Sequence, residues 1–189
     1  MQNPIRFPLF LSLALALAGC GDSAARYLVE PAPAGPAVAL RAPSIEVRDV
    51  VLPAYAEASQ ILLEEADGAL RPIRGSEWAD SSARSMTAAI ARSLDLQSTS
   101  AVAAEPWPLS EPAAARLEVR IDRLVARADG AFQMSGQYAV AAPDGRVREV
   151  LERFDFRVPL TGDSPGAIAG ASGQAIDLLA AQIVQRLRR

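Results

Sequence analysis

The clearest pattern of apolar and polar positions lies between residues 115 and 158. Leu117, Val119, Ile121 and Val125 alternate with Glu118, Arg120 and Asp122, a period of two that turns one face of a strand to a core and the other to water. Phe132, Met134, Gly136, Tyr138 and Val140 repeat the alternation. After the turn signal Pro143-Asp144-Gly145 it resumes at Val150, Phe154, Phe156 and Val158. A three-stranded antiparallel meander is predicted. Glu152 falls on the apolar side of its last strand, which predicts a bulge or an exposed stretch at that point.

Upstream, Ile45, Val47 and Val51 predict a half-buried strand over 44–52, stopped by Leu52-Pro53-Ala54-Tyr55. The runs 61–65 and 69–74 flank Asp67-Gly68 and read as a hairpin, because Asp-Gly supplies the positive φ of a tight reversal. A short first strand is expected at 26–29, and Pro31, Pro33, Gly35 and Pro36 make 30–37 an extended connector. Residues 101–107 are short and extended. One helix is predicted from Glu77 to about Leu94, with Trp78, Ser82, Met86, Ala89, Ile90 and Leu94 on a common face. A second begins near Ser164-Pro165, cap and first helical position, with Ile168, Ser172, Ala175, Ile176, Leu179, Ile183 and Leu187 as its stripe. Gly166, Gly170 and Gly173 each weaken its first turns by up to about 1 kcal/mol relative to Ala, leaving a start nearer Gln174 as the alternative. The fold class expected is α+β: a twisted, mainly antiparallel sheet of about five or six strands with two amphipathic helices on one face.

The N-terminus has a different layout. Arg6 precedes an apolar stretch from Phe7 to Ala18 and then small residues, the arrangement of an export signal. That stretch is shorter than the roughly 20 residues a helix needs to span a bilayer. Leu17-Ala18-Gly19-Cys20 resembles the lipobox of bacterial lipoproteins, which implies diacylglycerol on the Cys20 thiol, cleavage before Cys20 and acylation of the new amino group. The alternative, an ordinary signal ending near Ala18, leaves an unpaired thiol in an oxidising compartment, a liability. The organisation expected is a lipoprotein signal peptide at 1–19, a lipidated Cys and Pro-rich tether at 20–43, and a single globular domain at 44–189. Each buried acyl methylene contributes about 0.8 kcal/mol, so two or three chains hold a protein on its membrane. From Cys20 to Tyr27 the chain reaches at most roughly 23 Å, so the domain stays close to that membrane.

Composition removes most chemistry. The formal charge is −3 from 19 basic residues, all Arg, and 22 acidic ones, with no basic stripe for nucleic acid. Cleavage at Cys20 removes Arg6 and no acid, so the mature chain is one unit more negative. Without His and with one Cys, a His-based triad, a Cys/His pair, a Cys-rich zinc site and an intrachain disulfide are excluded by counting. Glu64 and Glu65 point to opposite faces of a strand and cannot share one acid/base site. Gly-x-Ser-x-Gly does not occur, and 169–173 lacks the Lys and the Gly spacing of a phosphate loop, so a small-residue helix face packed closely on a strand explains it at least as well. Asp122 with Arg123 and Asp155 with Arg157 fit exposed cross-strand pairs worth about 0.2–1 kcal/mol. No catalytic residue, metal site or cofactor is expected, and the chain does not read as an enzyme. Trp78 reads as core. Trp107, held between Pro106 and Pro108, is either core or a rigid docking aromatic for a partner.

The order of a lipobox Cys, the Tyr27-Leu28-Val29 run, Val50-Val51-Leu52-Pro53-Ala54-Tyr55, Trp78-Ala79, Pro106-Trp107, Ser135-Gly136-Gln137-Tyr138 and an Ala- and Leu-rich last helix resembles the ABC-type transport auxiliary lipoproteins, the paraquat-inducible protein C family. The likeness covers about residues 20–187. It departs after Trp78-Ala79, where Asp80-Ser81-Ser82 stands in place of the acidic residue, Pro and Leu common in the family. The resemblance implies an α/β sandwich similar to the TolB amino-terminal domain. It also implies a non-catalytic accessory of a transporter that carries a mammalian-cell-entry (MCE) domain, with its permease and ATPase, moving phospholipid or another hydrophobic compound between membranes. A homo-oligomer is left open. Gly21 lacks the Asp that in enteric bacteria often marks inner-membrane retention, which favours the periplasmic face of the outer membrane, with the inner membrane as alternative. Two other readings carry their own discriminators: an outer-membrane or lipopolysaccharide assembly lipoprotein, which would crosslink to a β-barrel, and a lipid-anchored hydrolase, which would lose turnover with one carboxylate.

Overall fold

Among the described residues, eight strands and two α-helices follow one another: β1 (Ala25–Tyr27), β2 (Ser44–Val47), β3 (Gln60–Glu64), β4 (Leu70–Trp78), α1 (Ser82–Gln97), β5 (Ala101–Ala104), β6 (Ala115–Ala126), β7 (Ala131–Ala141), β8 (Val150–Pro159) and α2 (Pro165–Leu187). The computed structural model describes residues 24–32, 35–142, 145 and 147–188. Cys20 and its signal motif Leu17, Ala18 and Gly19 lie outside the described residues, as do Pro143 and Asp144 of the expected turn.

β6 organises the sheet. β7 pairs with it antiparallel along one edge, from Arg116 opposite Ala141 to Ala126 opposite Phe132, and β8 extends the meander in a continuous antiparallel ladder. The other edge of β6 is shared. β2 runs parallel to its first residues, and β3 meets it in parallel at Ala126. Between them the chain continues alongside, with Val51 N donating to Val119 O and Ile121 N to Val51 O. β5 then adds to β2 in parallel, while β4 pairs antiparallel with β3 and β1 parallel with β4. The α+β class and the antiparallel dominance of the long ladders are as the alternation requires. The strand number is eight instead of five or six, the additional strands being short pieces at the rims.

The predicted stripe of α2 is buried in full, and Met86, Ala89, Ile90 and Leu94 of α1 join it in one core beneath Phe132, Met134, Tyr138 and Val140. Each such large apolar side chain contributes about 1.5–3 kcal/mol by leaving water. α2 is apolar enough by length and composition to cross a membrane, but most of its apolar residues face this core, Leu178 being an exposed exception. Its start is at Pro165, where Ser164 Oγ accepts from Ala167 N at 3.2 Å. The glycines stay inside the helix because one of them admits another segment: a Cβ on Gly173 would lie 2.2 Å from Glu30 O. The neighbour of this small-residue face is thus the extended chain after β1.

Three expectations are corrected. Trp78 closes β4 and does not open a helix, because its N–H donates to Ser59 O at 2.7 Å and Ala79 N to Tyr27 O at 2.9 Å. α1 starts four residues later, and Trp78 still packs on the core from the strand. The β7–β8 register passes Glu152 without a bulge, since Tyr138 and Arg186 satisfy its carboxylate. The irregularity falls in β6, between Ile121 and Arg123. Gly136 opposite it is the residue that admits the displaced backbone: a Cβ there would lie 2.1 Å from Arg120 O. Finally, Arg157 pairs with Asp129, and Asp155 instead accepts from Gln133 Nε2 at 2.9 Å. The bulge leaves Asp122 without a cross-strand partner while Arg123 lies opposite Ser135, and among the described residues no ion pair joins Asp122 and Arg123.

Candidate interaction surface

The segment after β5 is Pro-rich and cannot extend the sheet, so it folds over the outer side of β2. Glu46 points away from the core-facing Ile45 and Val47, yet it is only 7 % exposed. Its carboxylate accepts from Trp107 N at 3.3 Å and from Arg116 Nε, on the adjacent strand, at 3.2 Å. The Trp107 indole N–H donates to Glu111 O at 2.8 Å, and Ser44 Oγ accepts from Ala114 N at 2.9 Å. On the near side, Glu105 accepts from Asp49 N at 2.6 Å and pairs with Arg48 at 2.8 Å. Trp107 is therefore half-buried on a loop fixed at both ends and stands outside the main apolar cluster, with Leu109 beside it 62 % exposed. Of its two readings, core is the one the packing disfavours. The loop is an anchored presentation of an aromatic and an aliphatic side chain, the type of fixed apolar projection that interfaces use.

A second surface lies where the chain enters the fold. β1 adds to β4, and the strap that follows, residues 28–32, crosses the helices. Ala32 N donates to Asp177 Oδ2 at 2.7 Å. Asp177 also accepts from Ser93 Oγ, and Gln97 Nε2 donates to Asp177 O at 3.2 Å, so one carboxylate ties strap, α1 and α2 together. Between strap and α1 is a groove of about 440 Å³ bounded by Leu28, Pro31, Arg84, Ala88 and Arg92. After a stretch not described at 33–34, Val38 N donates to Gln97 O and Arg41 N to Leu187 O, so the chain ahead of β2 is stitched to both helices.

The remaining polar cluster inside the fold is structural. Tyr138 Oη donates to Glu152 Oε2 at 2.8 Å, and Arg186 Nε bridges to Glu152 Oε1 at 2.6 Å, which joins the meander to α2. The Tyr138 hydroxyl bond, and secondarily the Arg186 guanidinium, hold the Glu152 carboxyl below the usual carboxylate range against the opposing effect of burial. Burial, and then the bond to Glu152, push the Tyr138 phenol above its ordinary value. Glu64 and Glu65 take separate partners, Arg127 at 3.6 Å and Arg71 at 2.8 Å, as opposite-facing neighbours must. Among the described residues no three His, Cys, Asp or Glu side chains converge as a metal-ligand set.

Of the residues singled out from sequence, Trp107 is thus described on a surface loop, while Cys20, Leu17, Ala18 and Gly19 fall outside the described residues. Glu46 and Asp177 were not anticipated. Asp177 had a signal, an acid between Ile176 and Leu178 of an apolar helix. Glu46 had none, since the loop that buries it lies some sixty residues away. Two of the short family-like motifs have local causes as well. Tyr55 Oη accepts from Leu124 N at 3.0 Å beside the β6 bulge, and Gly136 with Tyr138 provides the close approach and the Glu152 bond.

Solved structures share this fold, two of them over most of their length. A crystal structure of an uncharacterised protein matches with a TM-score of 0.70 at 16 % identity, over 85 % of this chain and 96 % of the other. Protein XCC0632 from Xanthomonas campestris, of family DUF330, matches with a TM-score of 0.61 at 17 % identity, over 85 % of this chain and 90 % of the other. Likenesses at such identity establish the fold alone. No curated protein matches the sequence. The family model for the ABC-type transport auxiliary lipoprotein component covers residues 27–184, from β1 to the last turn of α2. The chain belongs to that family, the auxiliary lipoprotein components of ABC-type transport systems.

Proposed function

We propose that this protein is the lipid-anchored periplasmic accessory of an MCE-type ABC transport system that moves phospholipid or another hydrophobic compound between membranes. Acyl chains on Cys20 hold it on the periplasmic face of the outer membrane, and the domain receives the MCE protein through the loop that presents Trp107 and Leu109. Its contribution is positional, not catalytic: tethering turns docking into a local event at high effective concentration, without any bond being made or broken. The family match over residues 27–184 carries this reading, and the anchored Trp107 loop supports it with a docking element of suitable chemistry.

Crosslinking in the native host followed by affinity capture tests it. An MCE-domain protein, with its permease and ATPase, is the expected catch, and Trp107→Ala is expected to lower that yield several-fold while the domain stays folded. Capture of a β-barrel in its place would overturn the assignment. Cys20→Ala is expected to release the protein from membranes and to abolish its contribution to the membrane barrier at native expression level.

A further inference from the structure

A lipid-anchored domain on a free tether can turn any face to its membrane. Here the geometry restricts that freedom. From Cys20 to Ala24 the backbone spans at most roughly 14 Å. Beyond that point the chain is pinned: β1 pairs with β4, Tyr27 O accepts from Ala79 N, Glu30 lies against Gly173, and Ala32 is bonded to Asp177. The face around the start of β1 is therefore the one held nearest any anchor at Cys20.

That face has a chemistry of its own. Leu28 is 63 % exposed at the mouth of the groove between strap and α1. Among the described residues Arg92 has no acidic partner within ion-pair distance, and Arg84 has only Asp80, at 3.9 Å on a highly exposed side chain. Arg84 and Arg92 are two helical turns apart, about 12 Å. Glu30 and Asp80 at the rim offset this charge, leaving a face close to neutral on a chain whose formal charge is −3. The tether selects this orientation and the charge permits it, because an acidic body near an anionic leaflet is repelled little through a nearly neutral face.

We propose that this face, Leu28 with Arg84 and Arg92, lies on the phospholipid leaflet that holds the anchor. Leu28 enters the interfacial layer and the guanidinium groups meet lipid phosphates. The proposal rests on lipidation of Cys20. It places the opposite rim of the sheet away from the lipid: β8 is five strand spacings from β1, about 24 Å, and carries Leu151, 71 % exposed.

The test uses the full-length lipidated chain in vesicles of phosphatidylethanolamine and phosphatidylglycerol with a nitroxide-bearing lipid as quencher. A thiol-reactive fluorophore is attached in turn to Leu28→Cys, Ala88→Cys, Leu109→Cys and Leu151→Cys, with the Cys20 sulfur blocked by its lipid. Quenching several-fold stronger at 28 and 88 than at 109 and 151 is expected. Equal quenching at all four positions, or stronger quenching at 109 or 151, would overturn the orientation while the anchor stands. Vesicle flotation of the same samples reads the anchor separately, and a chain that fails to float overturns both.

Discussion

The meander β6–β7–β8 and the strap-bearing start of the chain are built by opposite means. The meander buries one continuous apolar face, and its long antiparallel ladders leave each residue only two orientations. The strap has few apolar contacts. It is held by point fixings: a three-residue strand, the Asp177 carboxylate, and the space left by a missing Cβ at Gly173. Removing apolar volume damages the first kind of structure globally. In the second, a single fixing can be lost while the core persists, so local release and global unfolding separate.

The largest effect is expected in the meander. Phe132 is 2 % exposed in the core, and Phe132→Ala is expected to cost about 3–5 kcal/mol in urea unfolding, transfer and cavity contributions together. Gly136→Ala comes next. Its new methyl would meet the Arg120 carbonyl at the β6 bulge, and backbone there has little room to yield, so a loss of about 1–3 kcal/mol is expected by the same measurement. If Gly136→Ala were neutral, the bulge would be plastic and the description of the meander as a rigid unit would fail.

What was legible follows the same division. Alternation placed the inward residues of β6 and β7 correctly, because one buried face leaves a period of two that no other element imitates. The α2 stripe and its Ser164 cap were legible for the equivalent helical reason. The parallel strands were harder. β2 and β5 are four residues each and take partners from distant sequence, so no local pattern states their neighbours. Trp78 and Ser82 share a helical spacing by coincidence, and pairing with β3 and β1 decides the local structure instead. In the candidate site, Pro106-Trp107-Pro108 was visible as a rigid projection, but Glu46, which holds it, was not. The proposed anchor, Cys20, rests on its signal motif alone.

Glu152 tests whether a polar fixing can matter inside the apolar meander. Replacement by Gln keeps size and weakens the bonds to Tyr138 and Arg186, with an expected cost of about 1 kcal/mol near neutral pH. Because its folded pKa is depressed, the contribution is complete above the unfolded glutamate value of about 4.3 and is lost as pH falls through the lower folded value. Unfolding curves between neutral pH and pH 3 should therefore converge for the parent and Glu152→Gln toward the acid end. A constant gap across that range would show that the side chain acts through packing and not through its charge.

Gly173→Ala is expected to be the smallest in global stability and the most informative about the strap. Two effects oppose one another. Alanine in a helix interior gains about 1 kcal/mol over glycine, yet its methyl would lie 2.2 Å from Glu30 O, a backbone atom that must move. If the strap is an independent fixing, it lifts from α2, the helix keeps its propensity gain, and urea unfolding changes by less than about 1 kcal/mol. Amide exchange at Ala32, whose N–H is bonded to Asp177, then accelerates along with that of Ala79, bonded to Tyr27 O. Exchange in β7 stays as slow as before. Should the substitution instead lower the unfolding midpoint as much as Phe132→Ala does, the strap would be part of the core's cooperative unit, and the division between the two regions would not hold.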